Sequence, residues 1–274
     1  MITAVQGSKK GWLLLVGLLW GLLTGCGPSA AEKARLTKLA QVKKIALICF
    51  VGRSKTNPKG TVHAPLALTM YDAFQAKVML TSKEVVEFIP VKQVIDSDAY
   101  KQVARVEMPE GAISGVEGLT YVKQGTDASD QFDCGPLVEA LGVDAVMAVV
   151  TEFGVDVDED KSIPDGPNAF YVTAKVHAFL APLGIDVPIW GNWKQPLTFK
   201  DQIPLSLISM VSHPILVGSV GAKKTVMLSP SQAECDEIMQ IAIDGKSKLG
   251  IMAGEGLMST LVKDIRSARQ AQIQ

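Results

Sequence analysis

The chain has 274 residues and a nearly balanced charge, with 27 lysines and arginines against 28 aspartates and glutamates. Without residues 1–25, which contain two lysines and no acidic residue, 25 basic and 28 acidic residues remain, a formal charge of −3. This balance argues against a nucleic-acid-binding protein, for which a basic face is expected. The remaining 249 residues are enough for a sizeable core in one or two domains.

The amino terminus has the order of a secretory signal. Lys9 and Lys10 form a short positive region, and residues 11–22 are a continuous apolar run. A positive region followed by an apolar run is typical of a signal peptide. The run is shorter than the roughly 20 residues of a membrane-spanning helix. We therefore predict that residues 1–25 are a signal peptide.

A lipobox-like sequence, Leu23-Thr24-Gly25-Cys26, ends this segment. Small residues suit a protease that cuts an extended backbone, and the thiolate of the cysteine is the nucleophile that accepts the lipid. We predict that the mature chain begins at Cys26 and is attached to a lipid bilayer by several acyl chains such as palmitate, which together anchor firmly. The alternative is an ordinary signal peptide that ends near a cysteine.

The residues after Cys26 indicate a location and a tether. Gly27 occupies the place where Asp resembles an inner-membrane retention signal of Gram-negative lipoproteins. The sequence therefore favours an outer-membrane lipoprotein that faces the periplasm. Residues 26–43 are expected to be the lipid anchor and a tether, in which Glu32 to Lys44 is a short helix or a solvated spacer. A single α/β domain is expected over residues 44–268.

Predicted strands and helices alternate in the first half of this domain. The continuous apolar run Ile45–Val51 is typical of a strand buried on both faces. A helix follows from about Pro65, with apolar residues at three- and four-residue steps. Val85–Val91 is a predicted strand and Val91–Tyr100 a predicted helix. An insertion near residues 105–133, rich in Gly, Ser, Asp and Thr, is expected to be a long loop or a small added element.

An antiparallel hairpin is predicted in the second half. After a short helix at Leu137–Leu141 and a buried strand at Ala145–Val150, residues 170–180 alternate strictly between apolar and more polar side chains. Strict alternation is typical of a strand with one face on a core. A turn at residues 181–184 and a return strand towards Trp190 complete the hairpin.

The carboxy-terminal part is predicted to contain an apolar insertion and two helices. Residues 203–228 are apolar and broken by prolines and glycines, which suits a core-covering loop or a surface that meets a partner or the bilayer. One helix ends at Asp244-Gly245, and a longer one runs from about Leu249. The predicted fold class is α/β (α+β), a mixed β-sheet with an antiparallel hairpin, packed by helices that include a long carboxy-terminal helix.

Three cysteines remain besides Cys26. Cys49 lies within an apolar run and is expected to be a small buried core residue. In an oxidising compartment the odd number leaves at least one thiol unpaired or paired between chains. The sequence permits a disulfide between Cys134 and Cys235, and unpaired thiols are the alternative.

No motif for catalysis, a metal ion or a cofactor is complete. Asp156, Asp158 and Asp160 alternate as in a calcium loop, but the glycine and the closing glutamate of that motif are missing, so an acidic hairpin loop is preferred. The three histidines are scattered, without the spacing of a zinc site. We therefore expect no catalytic residues, no metal and no cofactor, and a protein that is not an enzyme.

Two glycine-containing motifs of the last helices favour packing over ligand binding. Gly245-Lys246-Ser247 resembles the end of a phosphate-binding loop, but the earlier glycine is absent and a helix precedes it. A helix break with a solvated lysine explains it better. Gly250 and Gly254 lie one turn apart on a helix, where they clear one face for close packing against a neighbour.

Three segments resemble a family of envelope proteins. They are the first strand Lys44–Ile48, the helix-to-strand step Leu141-Gly142-Val143-Asp144-Ala145-Val146, and the end of the hairpin, Pro188-Ile189-Trp190-Gly191. Together they look like envelope lipoproteins with a domain similar to the amino-terminal domain of TolB. That group includes the curli secretion lipoprotein, the Pel polysaccharide export lipoprotein and the lipoprotein activator of penicillin-binding proteins.

The resemblance implies a role in assembly, secretion or scaffolding at the envelope, often as rings, and it supplies no catalytic residues. Its partners would be a second copy of the chain, as a homo-oligomer, or another envelope protein, and no nucleic acid. The alternative hypothesis is a periplasm-facing ligand-binding or hydrolytic lipoprotein, with a site near the carboxyl ends of the strands.

Overall fold

Seven strands and seven helices make up the part of the chain that the computed structural model describes, namely residues 29–103, 108–119, 134–158, 169–182, 188–191, 195–203 and 231–273. In chain order these elements are α1 Ala30–Gln41, β1 Lys44–Ser54, α2 Ala64–Val85, β2 Glu87–Phe88, α3 Val91–Asp96, α4 Asp98–Val103, β3 Ile113–Ser114, α5 Gly135–Leu141, β4 Ala145–Asp158, β5 Ala169–Pro182, β6 Trp190–Gly191, β7 Leu197–Ile203, α6 Gln232–Asp244 and α7 Leu249–Ala271.

The strands form one mixed sheet in the order β2-β1-β4-β5-β6, with β3 beside β1 and β7 beside β5. β1 pairs in parallel with β2 and β4. β4 and β5 form a long antiparallel hairpin, from Ala145 opposite Pro182 to Asp158 opposite Ala169. The predicted α/β class, with a mixed sheet, an antiparallel hairpin and a long carboxy-terminal helix, is confirmed.

β1 is the buried strand that the sequence predicts. Its residues from Ile45 to Val51 are all buried, which requires cover on both faces of the sheet. At its start, the backbone N–H groups of Lys43 and Lys44 both donate to Asp144 Oδ2, at 2.8 and 2.7 Å. Gly142 ends α5 in the left-handed conformation, with φ of 60°. This turn brings Asp144 to the amino end of β1.

Helices α2 and α7 run in the same direction and cover one face of the sheet. Gly250 lies against Leu66 and Met70 of α2, and Gly254 lies one turn further along, against Met70 and Phe74. A Cβ at Gly254 would collide with the carbonyl oxygen of Met70, so the two backbones approach more closely than any side chain allows. The predicted packing role of these glycines is confirmed.

Helix α1 packs on the domain near the carboxyl end of α7. Leu39 and Ala40 are buried. The Arg269 guanidinium donates to the carbonyl oxygens of Ala40 and Val42, at 3.1 and 2.8 Å, and to that of Val85 at 2.8 Å. These carbonyls lie at the carboxyl ends of α1 and α2, where a cation is also favoured by the helix dipoles. Of the two alternatives for Glu32 to Lys44, the helix is therefore correct.

The structure differs from the sequence predictions in its hairpins: the long one joins β4 to β5, whereas the predicted return strand after β5 is described only as β6, Trp190–Gly191. β4 continues to Asp158, so Asp156 and Asp158 lie in a strand and not in an acidic loop. Asp156 is tolerated there because its side chain is only partly buried. β7, which pairs with β5 from Leu197 to Ile203, was not predicted.

Smaller differences concern the segment after α2. The helix extends to Val85, so only Glu87 and Phe88 remain for the predicted strand β2. The predicted helix at 91–100 is two short helices, α3 and α4, separated at Ser97. Residues 181 and 182, predicted to lie in a turn, belong to β5. The signal peptide, residues 183 and 184 of that turn, Asp160 and all of the 203–228 insertion except Ile203 lie outside the described residues.

The glycine contact between α2 and α7 predicts the effect of Gly254→Ala. The added methyl group must push the two helices apart, and overpacking of this kind costs roughly 1–3 kcal/mol of unfolding free energy. Urea unfolding followed by circular dichroism measures it. Glu255→Ala, at the neighbouring exposed position of α7, is the control and is expected to change stability little. Equal stability of the Gly254→Ala protein and the wild type would contradict the close approach.

The Arg269 contacts predict a graded effect of substitution. Arg269→Ala leaves three carbonyls without their charged donor and is expected to cost about 2–3 kcal/mol. Arg269→Lys keeps the charge but loses the several N–H donors of the planar guanidinium group, so the loss of unfolding free energy should be intermediate. Arg266, which makes only an exposed contact of 3.9 Å with Glu84, is the control. Arg266→Ala should change stability by no more than about 0.5 kcal/mol.

Candidate functional site

The predicted lipidation residue, Cys26, and its lipobox, Leu23, Thr24 and Gly25, lie outside the described residues. The first described residue, Ser29, is the N-cap of α1, and its hydroxyl oxygen accepts a hydrogen bond from the Glu32 backbone at 3.2 Å. Only residues 27–29 therefore separate Cys26 from the helix.

A cleft of about 420 Å³ lies between α1, α7 and strands β5 to β7. Leu36, Val176 and Leu197 contribute apolar walls. Trp190 and Asp264 also line it, and the indole Nε1–H donates to Asp264 Oδ2 at 2.8 Å. Apolar walls with a few polar groups are typical of ligand-binding clefts.

The cleft does not lie where the ligand-binding hypothesis expects a site. The carboxyl ends of the parallel strands β1 and β4 are near Ser54 and Asp158. A second cavity, of about 500 Å³, lies near Val143, Asp144 and the end of β5, at the opposite end of these strands. Neither of these two cavities, both lined by described residues, is at the carboxyl ends.

A row of charged side chains crosses the sheet on the face opposite α2 and α7. The Arg53 guanidinium of β1 donates to the Glu152 carboxylate of β4. His177 Nε2 of β5 lies 3.6 Å from the other oxygen of Glu152. Burial disfavours the charge of Glu152, but Arg53 and His177 more than compensate and lower the pKa of this carboxyl group. Glu152 is therefore ionised at neutral pH and fixes its two neighbours.

The row continues along the hairpin. Lys200 Nζ of β7 lies 3.7 Å from Asp156 Oδ2 of β4 and 5.5 Å from the centre of the Tyr171 ring, within the range of a cation–π contact. We call the row the polar face; it consists of Arg53, Glu152, Asp156, Tyr171, Lys175, His177 and Lys200. Its charges alternate in sign and are carried by partly exposed side chains, which suits recognition of a protein surface.

Most of the polar face was not found from the sequence. Arg53 and Glu152 are 99 positions apart, so no local motif joins them. The signal that was present is Glu152 itself, a charged residue in the middle of what proved to be a fourteen-residue strand. His177 was predicted to lie on the more polar face of β5, and it does so.

A second group of polar side chains does converge at the carboxyl end of β1. His63 is fully buried, its Nε2 lies 3.1 Å from the carbonyl oxygen of Gly52, and its ring stacks on Phe153 at 5.8 Å. Burial lowers the pKa of the His63 imidazole, although the Gly52 carbonyl and the Asp236 carboxylate act in the opposite direction. Asp236 of α6 accepts a hydrogen bond of 2.6 Å from the Asn57 side chain.

Three cysteines lie among the described residues, and all three are buried. Cys134 and Cys235 are both buried thiols, and no disulfide joins them. Cys134 precedes α5, which leads to the start of β4, whereas Cys235 lies on α6 and contacts Thr56, beyond the end of β1. Burial raises the pKa of the Cys235 thiol, and a protonated thiol is a poor nucleophile. Cys49 is buried in the core, as predicted.

The described residues contain no group of three or more His, Cys, Asp or Glu side chains arranged to hold a metal ion. None of the described helices is long and apolar enough to cross a membrane.

Comparison with known proteins adds no relative. No protein-family model, no curated protein sequence and no solved structure matches the chain. The similarity to envelope lipoproteins therefore depends on the three short segments given above.

Proposed function

We propose that this chain is an exported lipoprotein, cut before Cys26 and held on the outer membrane by acyl chains, that acts as a non-enzymatic accessory of envelope assembly or secretion. The observation that carries the proposal is the sequence Leu23-Thr24-Gly25-Cys26 directly after a positively charged and then apolar segment. Both the order of the signal regions and all four residues of the lipobox are those expected of a lipoprotein.

The position of α1 gives the proposal a geometric consequence. The stretch from Cys26 to Ala30 spans at most about 14 Å when fully extended. Because α1 packs on α7 and is joined to it through Arg269, the domain would lie close to the bilayer surface. A partner would then be another protein at the same membrane, or a second copy of the chain.

The polar face is the surface that we propose for this partner. Its ion pairs join strands of one sheet, β1 to the neighbouring β4 and β4 to β7 across β5, so they present charges in a fixed pattern. A fixed pattern of alternating charge favours one orientation of a partner and disfavours others.

The cleft favours a second candidate function, ligand binding. Its apolar walls, and the Trp190–Asp264 pair beside them, suit a small amphipathic molecule. Hydrolysis by a cysteine nucleophile has less support, because burial raises the pKa of the Cys235 thiol and a protonated thiol is a poor nucleophile.

Lipidation is tested by replacing Cys26. Metabolic labelling with a radioactive fatty acid should mark the wild type, whereas Cys26→Ala should be unlabelled and should leave the membrane fraction. The three buried cysteines remain in this variant, so they control for other thiol acylation. An unlabelled wild type, or a Cys26→Ala protein that stays on the membrane, would overturn the proposed anchor.

The location is tested by Gly27→Asp. If the residue after Cys26 directs sorting, this variant should move from the outer-membrane to the inner-membrane fraction of a sucrose gradient while it remains labelled. Gly27→Ser should stay in the outer membrane and is the matched control. Inner-membrane location of the wild type would remove the outer-membrane part of the proposal.

Partner binding is tested by photo-crosslinking in cells. A photoreactive amino acid at Lys175, on the polar face, should capture either a second copy or an envelope protein, and Lys200→Glu should reduce the yield several-fold by inverting one charge. The same amino acid at Met79, which is 72% exposed on α2 at the opposite face, is the control. Equal yields from both positions, or a monomer without any adduct, would contradict the proposal.

A further inference from the structure

The cleft between α1, α7 and strands β5 to β7 is lined by two side chains of opposite charge as well as by apolar walls. Arg35 belongs to α1 and Asp264 to α7. Among the residues that the structure describes, neither forms an ion pair with another side chain. Both charges are therefore available to a ligand in the cleft.

Trp190 holds Asp264 in place. The indole is only 6% exposed, and its Nε1–H donates to Asp264 Oδ2 at 2.8 Å. A carboxylate can accept about four hydrogen bonds, and within the described part of the chain this one is donated by the indole alone. Most of its accepting capacity and its negative charge remain. An ammonium group, which is a cation with several N–H donors, complements such a carboxylate.

Arg35 supplies the opposite charge beside the apolar part of the cleft. Its guanidinium group presents five N–H donors in a fork that matches a phosphate. Leu36 follows it on α1, and Val176 and Leu197 lie on the strands that form another wall. A ligand that uses all of these groups has an ammonium group, an anionic group and an apolar chain.

The position of the cleft favours a lipid among such molecules, and this step rests on the proposed anchor at Cys26. The segment from Cys26 to Ala30 spans at most about 14 Å. Arg35 lies five residues further along α1, which adds about 8 Å of helical rise. If Cys26 is acylated, the α1 wall of the cleft therefore lies within reach of the headgroups of the bilayer.

We propose that this cleft binds a zwitterionic phospholipid of the phosphatidylethanolamine type. The ammonium group of the lipid lies at Asp264 and its phosphate at Arg35, and the first part of one acyl chain lies against the apolar walls. A volume of about 420 Å³ is at the small end of the range for ligand sites, so the rest of the lipid stays outside the cleft. The lipid joins α1 to α7 and the sheet, in addition to the contacts of Arg269.

Calorimetric titration of the mature chain, kept in amphipol, tests the ligand class. Lauroyl lysophosphatidylethanolamine, used below its micelle concentration, should bind saturably. Lauroyl lysophosphatidylglycerol has the same chain and a phosphate but no ammonium group, so it should bind about tenfold more weakly or less. Phosphoethanolamine, which lacks the chain, should not bind measurably. Equal affinity for the glycerol lipid, or for phosphoethanolamine as a soluble zwitterion, would overturn the proposal.

Variants locate the site. Asp264→Asn keeps an acceptor for the Trp190 indole but removes the negative charge, and it should weaken binding of the ethanolamine lipid about tenfold, the loss of one charge-assisted hydrogen bond. Arg35→Gln, at an exposed position of α1, should weaken it similarly and carries the test if Asp264→Asn does not fold. Glu255→Gln, at an exposed position of α7, is the matched control and should bind like the wild type. Unchanged affinity in folded Asp264→Asn and Arg35→Gln proteins would refute the site.

Titration of the Cys26→Ala chain under the same conditions separates the lipid site from the anchor. The cleft does not include Cys26, so this variant should bind the ethanolamine lipid as tightly as the acylated wild type. Binding by Cys26→Ala alone would mean that the chain's own acyl group fills the cleft, and would overturn the proposal. Absence of binding by both chains, with normal fatty-acid labelling of the wild type, would refute the lipid site and leave the anchor intact.

Discussion

The parallel pairing of β1 with β4 is the constraint on which the other features depend. Asp144 fixes its start, because one carboxylate oxygen accepts the backbone N–H groups of Lys43 and Lys44. From there the register, with a bulge between Leu47 and Cys49, brings Arg53 opposite Glu152. The polar face and the contacts of His63 with Gly52 and Phe153 follow from this register. A shift of one residue would turn Arg53 or Glu152 towards α2 and bury an unpaired charge.

The central strands could be predicted because their signals are local. The apolar run of β1 and the alternation of β5 each lie within a single element, and burial alone produces them. Gly250 and Gly254 likewise show a requirement for close packing within one turn of helix. In these elements burial or close packing directly determines the residue types, so the sequence pattern is enough to predict them.

The candidate sites were less predictable because their members come together only through the sheet. Arg53, Glu152 and His177 lie on three strands. Arg269 binds backbone carbonyl oxygens, which every residue has, so the sequence does not show where its partners are. β7 was missed since its short alternation follows a stretch of polar residues. A disulfide between Cys134 and Cys235 was left open, because residue type alone gives no constraint on the distance between two cysteines.

The attachment of α1 has a mechanical consequence. A pull on the amino terminus is transmitted first to the contact between α1 and Arg269, at the end of α7, and not to the hydrogen bonds of β1. Helix α1 can therefore peel away while the sheet remains intact. Residues 29–43, once extended, would span about 50 Å. In a protein fastened by its first residues, the distance between the anchor and the domain would thus increase under tension and shorten again when the tension is removed.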